Sequence, residues 1–203
     1  SEIDDTNQPP GINRHEIRTT LTETLQYNAF GEIVASQNKA GFWSHMAYDS
    51  NGHLLFSLDA TGALTEFRYD RFDNLSKKIR YAQRPSGLGD YSVNAIATAK
   101  NQIEGQTDRN ETYLYDQDNR LLETRGDEVL MYDSTTCQYQ TTRPITRFTY
   151  NAFGDITEHA VKLTENQWAI TQTTYNLAGQ KTTTRDAEGY LTQYTYNAAG
   201  LLV

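Results

Sequence analysis

The 203-residue sequence has one cysteine, four prolines and no long apolar run, and each scarcity excludes a class of protein. The single cysteine, Cys137, excludes an internal disulfide framework and any metal site built from several thiolates. So few prolines, with 13 glycines, exclude collagen-like and proline-rich chains. Nothing approaches the roughly 18 consecutive apolar residues of a membrane-spanning helix. The first residues have no basic flank before an apolar core, so we expect no signal peptide in this segment.

Basic residues are also in deficit. The chain has 18 lysines and arginines against 26 aspartates and glutamates, which gives a formal net charge of -8. A nucleic-acid surface needs clustered cations to neutralise phosphates. The densest basic run contains only Lys77, Lys78 and Arg80. We therefore expect no nucleic-acid partner.

Tyrosine, by contrast, is abundant, and it recurs in a motif. The chain has 14 tyrosines and seven phenylalanines, a composition that favours strands over disorder. Seven tyrosines begin the pattern Y-[DN]-x-x-G or a close variant of it. The first three copies are 21 residues apart, as are the last two, and wider gaps between the others indicate insertions. The copies begin at Tyr27, Tyr48, Tyr69, Tyr115, Tyr150, Tyr175 and Tyr196.

Each copy of the motif has the chemistry of a hairpin turn. The Asp or Asn after the tyrosine can accept hydrogen bonds from backbone amides of the turn. The fifth position then requires a positive φ, as in a type I turn followed by a bulge. Asp73 and Asn119 replace glycine there in two copies, and these side chains tolerate the left-handed region best. The other five copies have Gly31, Gly52, Gly154, Gly179 and Gly200.

The segments between the turns alternate in hydropathy with period 2, which is typical of strands. Further turn signals at 38–41, 59–62 and 186–189 lie half a period from the first set. The alternation places Leu25 with Tyr27, and Met46 with Tyr48, on a single aromatic-aliphatic face, and we expect stacked repeats to pack through this face. The sequence therefore predicts an all-β fold. Tandem antiparallel hairpins form a meander and a curved strip, with one short helical insertion.

Two interruptions divide the chain. Residues 1–16 are predicted to be a flexible lead-in, and residues 17–80 contain the first repeats. Residues 81–110 form a loop-helix insertion, in which Ser92 caps a helix within 92–104 and Gly105 ends it. Residues 111–203 contain further repeats, with a long hairpin at 126–146. We expect the final repeat to be truncated.

The array resembles the YD repeats of Rhs-family proteins. The copy with the strongest likeness is Tyr115-Asp116-Gln117-Asp118-Asn119-Arg120-Leu121, and the resemblance covers about residues 17–203. It implies a β-sheet strip that spirals into a hollow shell. In polymorphic toxins and insecticidal toxin complexes this shell encloses a C-terminal toxin, whereas teneurins use the repeats on animal cell surfaces. The family's Asp-Pro cleavage motif does not occur in this chain, which we therefore expect to be a fragment of the shell.

The resemblance implies a non-catalytic structural role, in which the segment helps to enclose or deliver a C-terminal toxin domain. The implied partners are the remainder of the parent shell and the enclosed toxin. The implied location is outside a bacterium, either secreted or on the cell surface. An adhesion module that binds glycan or protein through exposed aromatics is the alternative, and Trp43 and Trp168 are its best candidates. We also expect the fragment to self-associate through its sheet edges.

Catalytic, metal-binding and cofactor-binding residues are not expected. The four histidines are too widely spaced to form a helical metal motif, and the acidic residues lie mainly in turns. No phosphate loop or nucleophile elbow occurs in the sequence. We therefore expect a protein that is not an enzyme and has no cofactor. The histidines are His15, His45, His53 and His159.

Overall fold

A computed structural model describes residues 23–105, 107–133 and 136–203. The predicted all-β hairpin meander is confirmed, since thirteen of the strands in these ranges form one open antiparallel sheet. The predicted lead-in at 1–16 lies outside the described residues. The strands are β1 (Thr24–Tyr27), β2 (Ile33–Gln37), β3 (Trp43–Tyr48), β4 (Leu54–Leu58), β5 (Leu64–Tyr69), β6 (Leu75–Arg80), β7 (Arg109–Tyr115), β8 (Leu121–Arg125), β9 (Val129–Asp133), β10 (Gln138–Thr142), β11 (Ile145–Tyr150), β12 (Ile156–Lys162), β13 (Trp168–Tyr175), β14 (Lys181–Arg185) and β15 (Leu191–Gln193).

The sheet follows chain order, with one exception. Strands β9 and β10 pair only with each other, and β8 pairs directly with β11. This separate hairpin lies within the long hairpin predicted at 126–146. Because it stands outside the sheet, the spacing of the repeats across the sheet is uninterrupted there.

The insertion after β6 contains the helix α1 (Val93–Ile103). It begins at Ser92, whose hydroxyl accepts the amide of Ala95 at 3.3 Å and satisfies one of the free amides of the first turn. Ile96 and Ile103 are buried against the sheet. The helix is therefore held by an apolar stripe that packs on strands β3 to β6.

Helix α1 packs on one face of the sheet, which we call the covered face. The strand register places buried residues of neighbouring strands opposite one another on this face. Ala47 lies opposite Phe56, Phe56 opposite Glu66, and Glu66 opposite Ile79. All four are buried. The expectation that the aromatic face of Met46 and its equivalents supplies the packing is therefore wrong in this half of the sheet. Helix α1 covers the opposite face. The alternation of residues along a strand does not indicate which face of the sheet an insertion will cover.

Self-association through the C-terminal edge remains a prediction. Beyond β15 the chain turns back, and Val203 donates its amide to Thr195 while Leu201 accepts from Asn197. The amide of Leu202 between them therefore faces away from the sheet. We expect strand pairing there at tens of micromolar, measured by sedimentation, and its loss in Leu202→Pro, because proline removes that donor. Equal association of both proteins would contradict pairing at this edge.

Candidate functional site: the repeat turns and the covered face

The turns after the seven motif tyrosines share one hydrogen-bond pattern. In the fifth copy, Asn151 Oδ1 accepts the amides of Phe153 and Asp155, both at 2.9 Å. The glycine between them has φ of 90°, and Asp73 and Asn119 have φ of 66° and 59° at the same position. The positive φ closes the hairpin with a bulge. The same two amide bonds occur at Asn28, Asp49, Asp70, Asp116, Asn176 and Asn197.

In five copies of the motif, the tyrosine joins its repeat to the one before it. The hydroxyl of Tyr150 donates to the backbone carbonyl of Leu121 at 2.7 Å, and Leu121 follows the preceding turn. This contact ties hairpins that the strand ladder already places side by side. Sequence reasoning assigned these rings to packing alone. The signal for the hydroxyl was that no copy has phenylalanine in this position. The equivalent bonds are Tyr48 to Ile33, Tyr69 to Leu54, Tyr115 to Leu75 and Tyr175 to Ile156.

Replacing Tyr150 with phenylalanine is expected to lower the free energy of unfolding by about 1 kcal/mol, the usual net value of one such hydrogen bond. The carbonyl of Leu121 loses its hydroxyl donor while the ring stays in place. Urea denaturation measures the change. Tyr190→Phe is the matched control, because the Tyr190 ring is exposed and its substitution should change stability by a few tenths of a kcal/mol at most. Equal effects of the two substitutions would contradict the role of the hydroxyl.

A second pair of side chains closes each of the first six turns, and its chemistry is complementary in every copy. Where Asp follows the tyrosine, the residue four positions later is a donor, as in Asp116 with Arg120 at 2.7 Å. Where Asn follows it, that residue offers an acceptor, as in Asn151 with Asp155 at 2.9 Å. Sequence reasoning missed this pairing, although it is visible in the single sequence. The other pairs are Asn28–Glu32, Asp49–His53, Asp70–Asn74 and Asn176–Gln180.

Several of these pairing side chains also reach the next turn. Asn74 donates to Asn119 at 2.9 Å, and Gln180 donates to the carbonyl of Gly200 at 3.0 Å. His53 lies 3.0 Å from Asp49 in its own turn and 3.4 Å from Asp73 in the next. Its ring also stacks on Tyr69. The turns are thus linked along one edge of the sheet. In the link made by His53, the imidazole ring changes its charge near neutral pH.

The His53 link is expected to be pH-dependent. The hydrogen bond with Asp49 raises the pKa of His53 above its usual 6.5, and the charge of Asp73 adds to this effect. A raised pKa means that the stabilisation is complete below pH 6.5 and is lost as the pH rises through the raised value. An NMR titration of the His53 ring should therefore give a pKa above 6.5, and Asp49→Asn should lower it.

His53→Asn is the matched control for stability, because the chain already uses an Asp–Asn pair in the next turn, Asp70 with Asn74. We expect the melting temperature of the wild type to decline as the pH rises above 6.5 through the raised pKa of His53, and this variant should lose that decline. An unchanged decline would mean that another group causes it.

Two buried carboxylates lie on the covered face and both are satisfied within the chain. Glu66 accepts from Arg68 Nε at 2.7 Å and from the hydroxyl of Tyr81, and Lys100 of helix α1 lies 3.5 Å away. Burial opposes ionisation of Glu66, but these donors outweigh it and hold its pKa below the usual value. Glu123 is held in the same way by arginines of β8 and β11. Glu66 thus links the sheet to helix α1, and Glu123 links β8 to β11. The pKa of each is lowered, whereas a catalytic acid typically has a raised pKa.

The two tryptophans are not free platforms for a ligand. The guanidinium of Arg147 covers the ring of Trp168 at 4.6 Å, and Trp43 is half-buried beside His45. His45 in turn stacks on Tyr91 of the insertion, and burial lowers its pKa. The candidates for carbohydrate stacking are therefore engaged in packing within the chain.

One open groove of about 1020 Å³ lies where the separate hairpin leaves the sheet. Several of the groups that line it pair with one another. Asp127 accepts the backbone amide and the side chain of Asn110, and Arg143 lies 3.5 Å from Glu128. Within the described ranges, no three His, Cys, Asp or Glu residues are placed to hold a metal ion. Helix α1, at 11 residues, is too short to cross a membrane, and the described part of the chain has no helix that could.

Comparisons with known proteins give the fold. No protein-family model and no curated protein sequence matches the chain. The crystal structure of TcdB2-TccC3 without its hypervariable C-terminal region matches 89% of this chain and 10% of its own, with a TM-score of 0.52 and 14% identity. The Tc holotoxin pore of Photorhabdus luminescens covers the same shares at a TM-score of 0.44 and 17% identity. The chain thus spans about a tenth of these proteins, and the first likeness is one of fold.

Proposed function

We propose that this chain is a non-catalytic wall segment of an Rhs-type YD-repeat shell that encloses or delivers a C-terminal toxin domain. The observation that carries the proposal is the continuity of the array. Thirteen strands pair in one sheet, and tyrosine hydroxyls bond consecutive repeats in addition to the strand ladder. The fold likeness to part of TcdB2-TccC3 supports the same proposal.

The chemistry of the segment suits a wall. A sheet without unpaired internal strands leaves no opening through which an extended polypeptide could pass, so a guest behind it is isolated by steric exclusion. The Asp and Asn side chains that follow the motif tyrosines make hydrogen bonds within their turns, and Asn74 also bonds to the next turn. The proposed partners are the remainder of the parent shell and its guest, and the proposed location is outside a bacterial cell.

The decisive experiment uses the full-length protein that contains this segment. Under limited proteolysis, we expect a C-terminal domain that resists digestion while the shell is intact and is cleaved once the shell is unfolded. The triple variant Tyr115→Phe, Tyr150→Phe and Tyr175→Phe weakens three inter-repeat bonds and should accelerate that cleavage. Tyr190→Phe is the control. A C-terminal domain that is digested in the intact protein as fast as when isolated would overturn the proposal.

A glycan array with the 203-residue chain separates a wall from an adhesion module. A wall segment should give no saturable binding at the two tryptophans, because Trp168 is covered by Arg147 and Trp43 packs beside His45. Specific binding of one glycan that is lost in Trp168→Ala would overturn the proposed shell role and favour an adhesion module.

A further inference from the structure

A pocket of about 570 Å³ lies on the covered face, between the first two of the motif turns and the start of helix α1. Its floor contains Ala35 and Ala47, which are both buried. The neighbouring strand β4 has Phe56 opposite Ala47, so the face is recessed where the side chains are smallest. We call this recess the alanine pocket. Its volume is within the usual range for a small-molecule site.

Aromatic residues form part of the pocket wall. The ring of Tyr91 lies parallel to that of His45, with 3.4 Å between their centroids. Tyr91 is nevertheless 43% exposed, so the ring face that points away from His45 is open. Tyr48 and Phe30 also line the pocket, and a hydroxyl bond to the carbonyl of Ile33 fixes Tyr48. The face of an aromatic ring carries negative potential and attracts cations, so this wall favours a positively charged ligand.

The charged groups of the lining also favour a cation. Glu32 and Asp49 are acidic, and the described residues that line the pocket include no lysine or arginine. Asp49 is partnered by His53, whereas the carboxylate of Glu32 accepts from the neutral amide of Asn28 at 2.6 Å. His45 is the one imidazole in the described lining, and burial lowers its pKa, so it adds no positive charge at neutral pH. The negative charge of Glu32 is thus not neutralised by the lining.

We propose that the alanine pocket binds a small organic cation of the quaternary ammonium class, with Glu32 as the counter-charge and the ring of Tyr91 as the stacking face. Such a cation has no N–H group to donate, so aromatic faces and one carboxylate are sufficient to recognise it. A primary ammonium or a metal ion would need several free oxygens. Asn28 Oδ1 and Asp49 Oδ1 instead accept backbone amides of their own turns. This site does not depend on the proposed shell.

Choline is the probe, and two analogues test which of its features the pocket recognises. The neutral alcohol in which carbon replaces the quaternary nitrogen keeps the shape of choline and lacks its charge. Phosphocholine keeps the ammonium and adds a phosphate, which the described lining has no lysine or arginine to receive. We expect choline to bind with a Kd on the order of 1 mM, and each analogue to bind at least about fivefold more weakly. NMR titration of the Tyr91 and His45 rings in the 203-residue chain measures the three affinities.

Glu32→Gln removes the counter-charge and preserves the turn. The sixth turn already pairs Asn176 with Gln180, so the amide of Asn28 retains an acceptor in this variant. We expect Glu32→Gln to weaken choline binding at least about fivefold. Tyr91→Leu keeps an apolar side chain but removes the aromatic face, and it should weaken choline binding at least about threefold.

Asp155→Asn is the matched control for the loss of charge. Asp155 pairs with Asn151 in the fifth turn as Glu32 pairs with Asn28 in the first, but it lies outside the alanine pocket. This variant changes the net charge by the same amount and should leave choline binding unchanged. The proposal is overturned if choline gives no saturable shift, if either analogue binds as tightly as choline, if Glu32→Gln binds choline as the wild type does, or if Asp155→Asn weakens binding equally.

Discussion

Replacing Leu64 with alanine is expected to lower the free energy of unfolding by about 3 kcal/mol, within the usual range for a buried leucine. Leu64 is 0% exposed and belongs to the cluster of sheet and helix residues that includes Phe56, Ile79 and Ile96. Truncation leaves a cavity beneath helix α1, because the paired strands on either side fix the backbone around it. Urea denaturation monitored by circular dichroism measures the change.

Leu114→Ala is the matched control for this result. It is the same substitution on the same face of the sheet, but Leu114 lies beyond the reach of the helix and is 44% exposed. Its loss should cost at most about 1 kcal/mol, because nearly half of its surface is already in water and no helix covers the rest. A loss at Leu114 as large as that at Leu64 would mean that the helix does not define the core.

Gly154→Val is expected to destabilise the protein by at least about 1 kcal/mol, and the same is expected at Gly31, Gly52 and Gly179. Gly154 has φ of 90°, and a Cβ atom built there meets no atom within 4 Å. The whole effect is therefore backbone strain on a β-branched residue. Thermal denaturation measures it. Valine tolerated at all four glycines without a fall in melting temperature would contradict the turn assignment.

Asn119→Gly is the opposite substitution at the equivalent position. Glycine relieves the strain of φ at 59°, but it removes the oxygen that accepts from Asn74 at 2.9 Å. The two effects are of similar size, so the variant should be nearly neutral. A large loss would show that the bond between turns outweighs the backbone preference.

The sequence was sufficient for the hairpin meander because both of its signals are local. Period-2 alternation and turn chemistry act within a few residues, and neither depends on what the sheet packs against. The helix was predictable for the same reason, since Ser92 and the following apolar residues lie within one short segment. Local consistency of this kind also made Asp73 and Asn119 recognisable as substitutes for glycine.

The covered face and the bonds between repeats were not predictable in the same way. Which face helix α1 covers depends on the path of the loop, whereas Ala47 and Met46 alternate identically under either outcome. The hydroxyl of Tyr150 bonds to a carbonyl 29 residues earlier in the chain. The two groups meet only because β8 pairs with β11 and leaves the intervening hairpin outside the sheet. Two signals for these bonds were nonetheless present in the sequence. Every copy of the motif has tyrosine and not phenylalanine, and the side chains four residues apart in the turns are complementary donors and acceptors.

The hydroxyl bonds have a consequence for the length of such an array. Each of these five hydroxyls bonds to the repeat before it, and every acceptor is a backbone carbonyl, which any residue supplies. Removing residues 43–63, one whole unit, would present Tyr69 with the carbonyl of Ile33, the acceptor that Tyr48 now uses. The array is therefore modular, because gain or loss of whole units alters its extent and leaves every type of joint unchanged. Duplication within a gene can resize a sheet built this way in a single event.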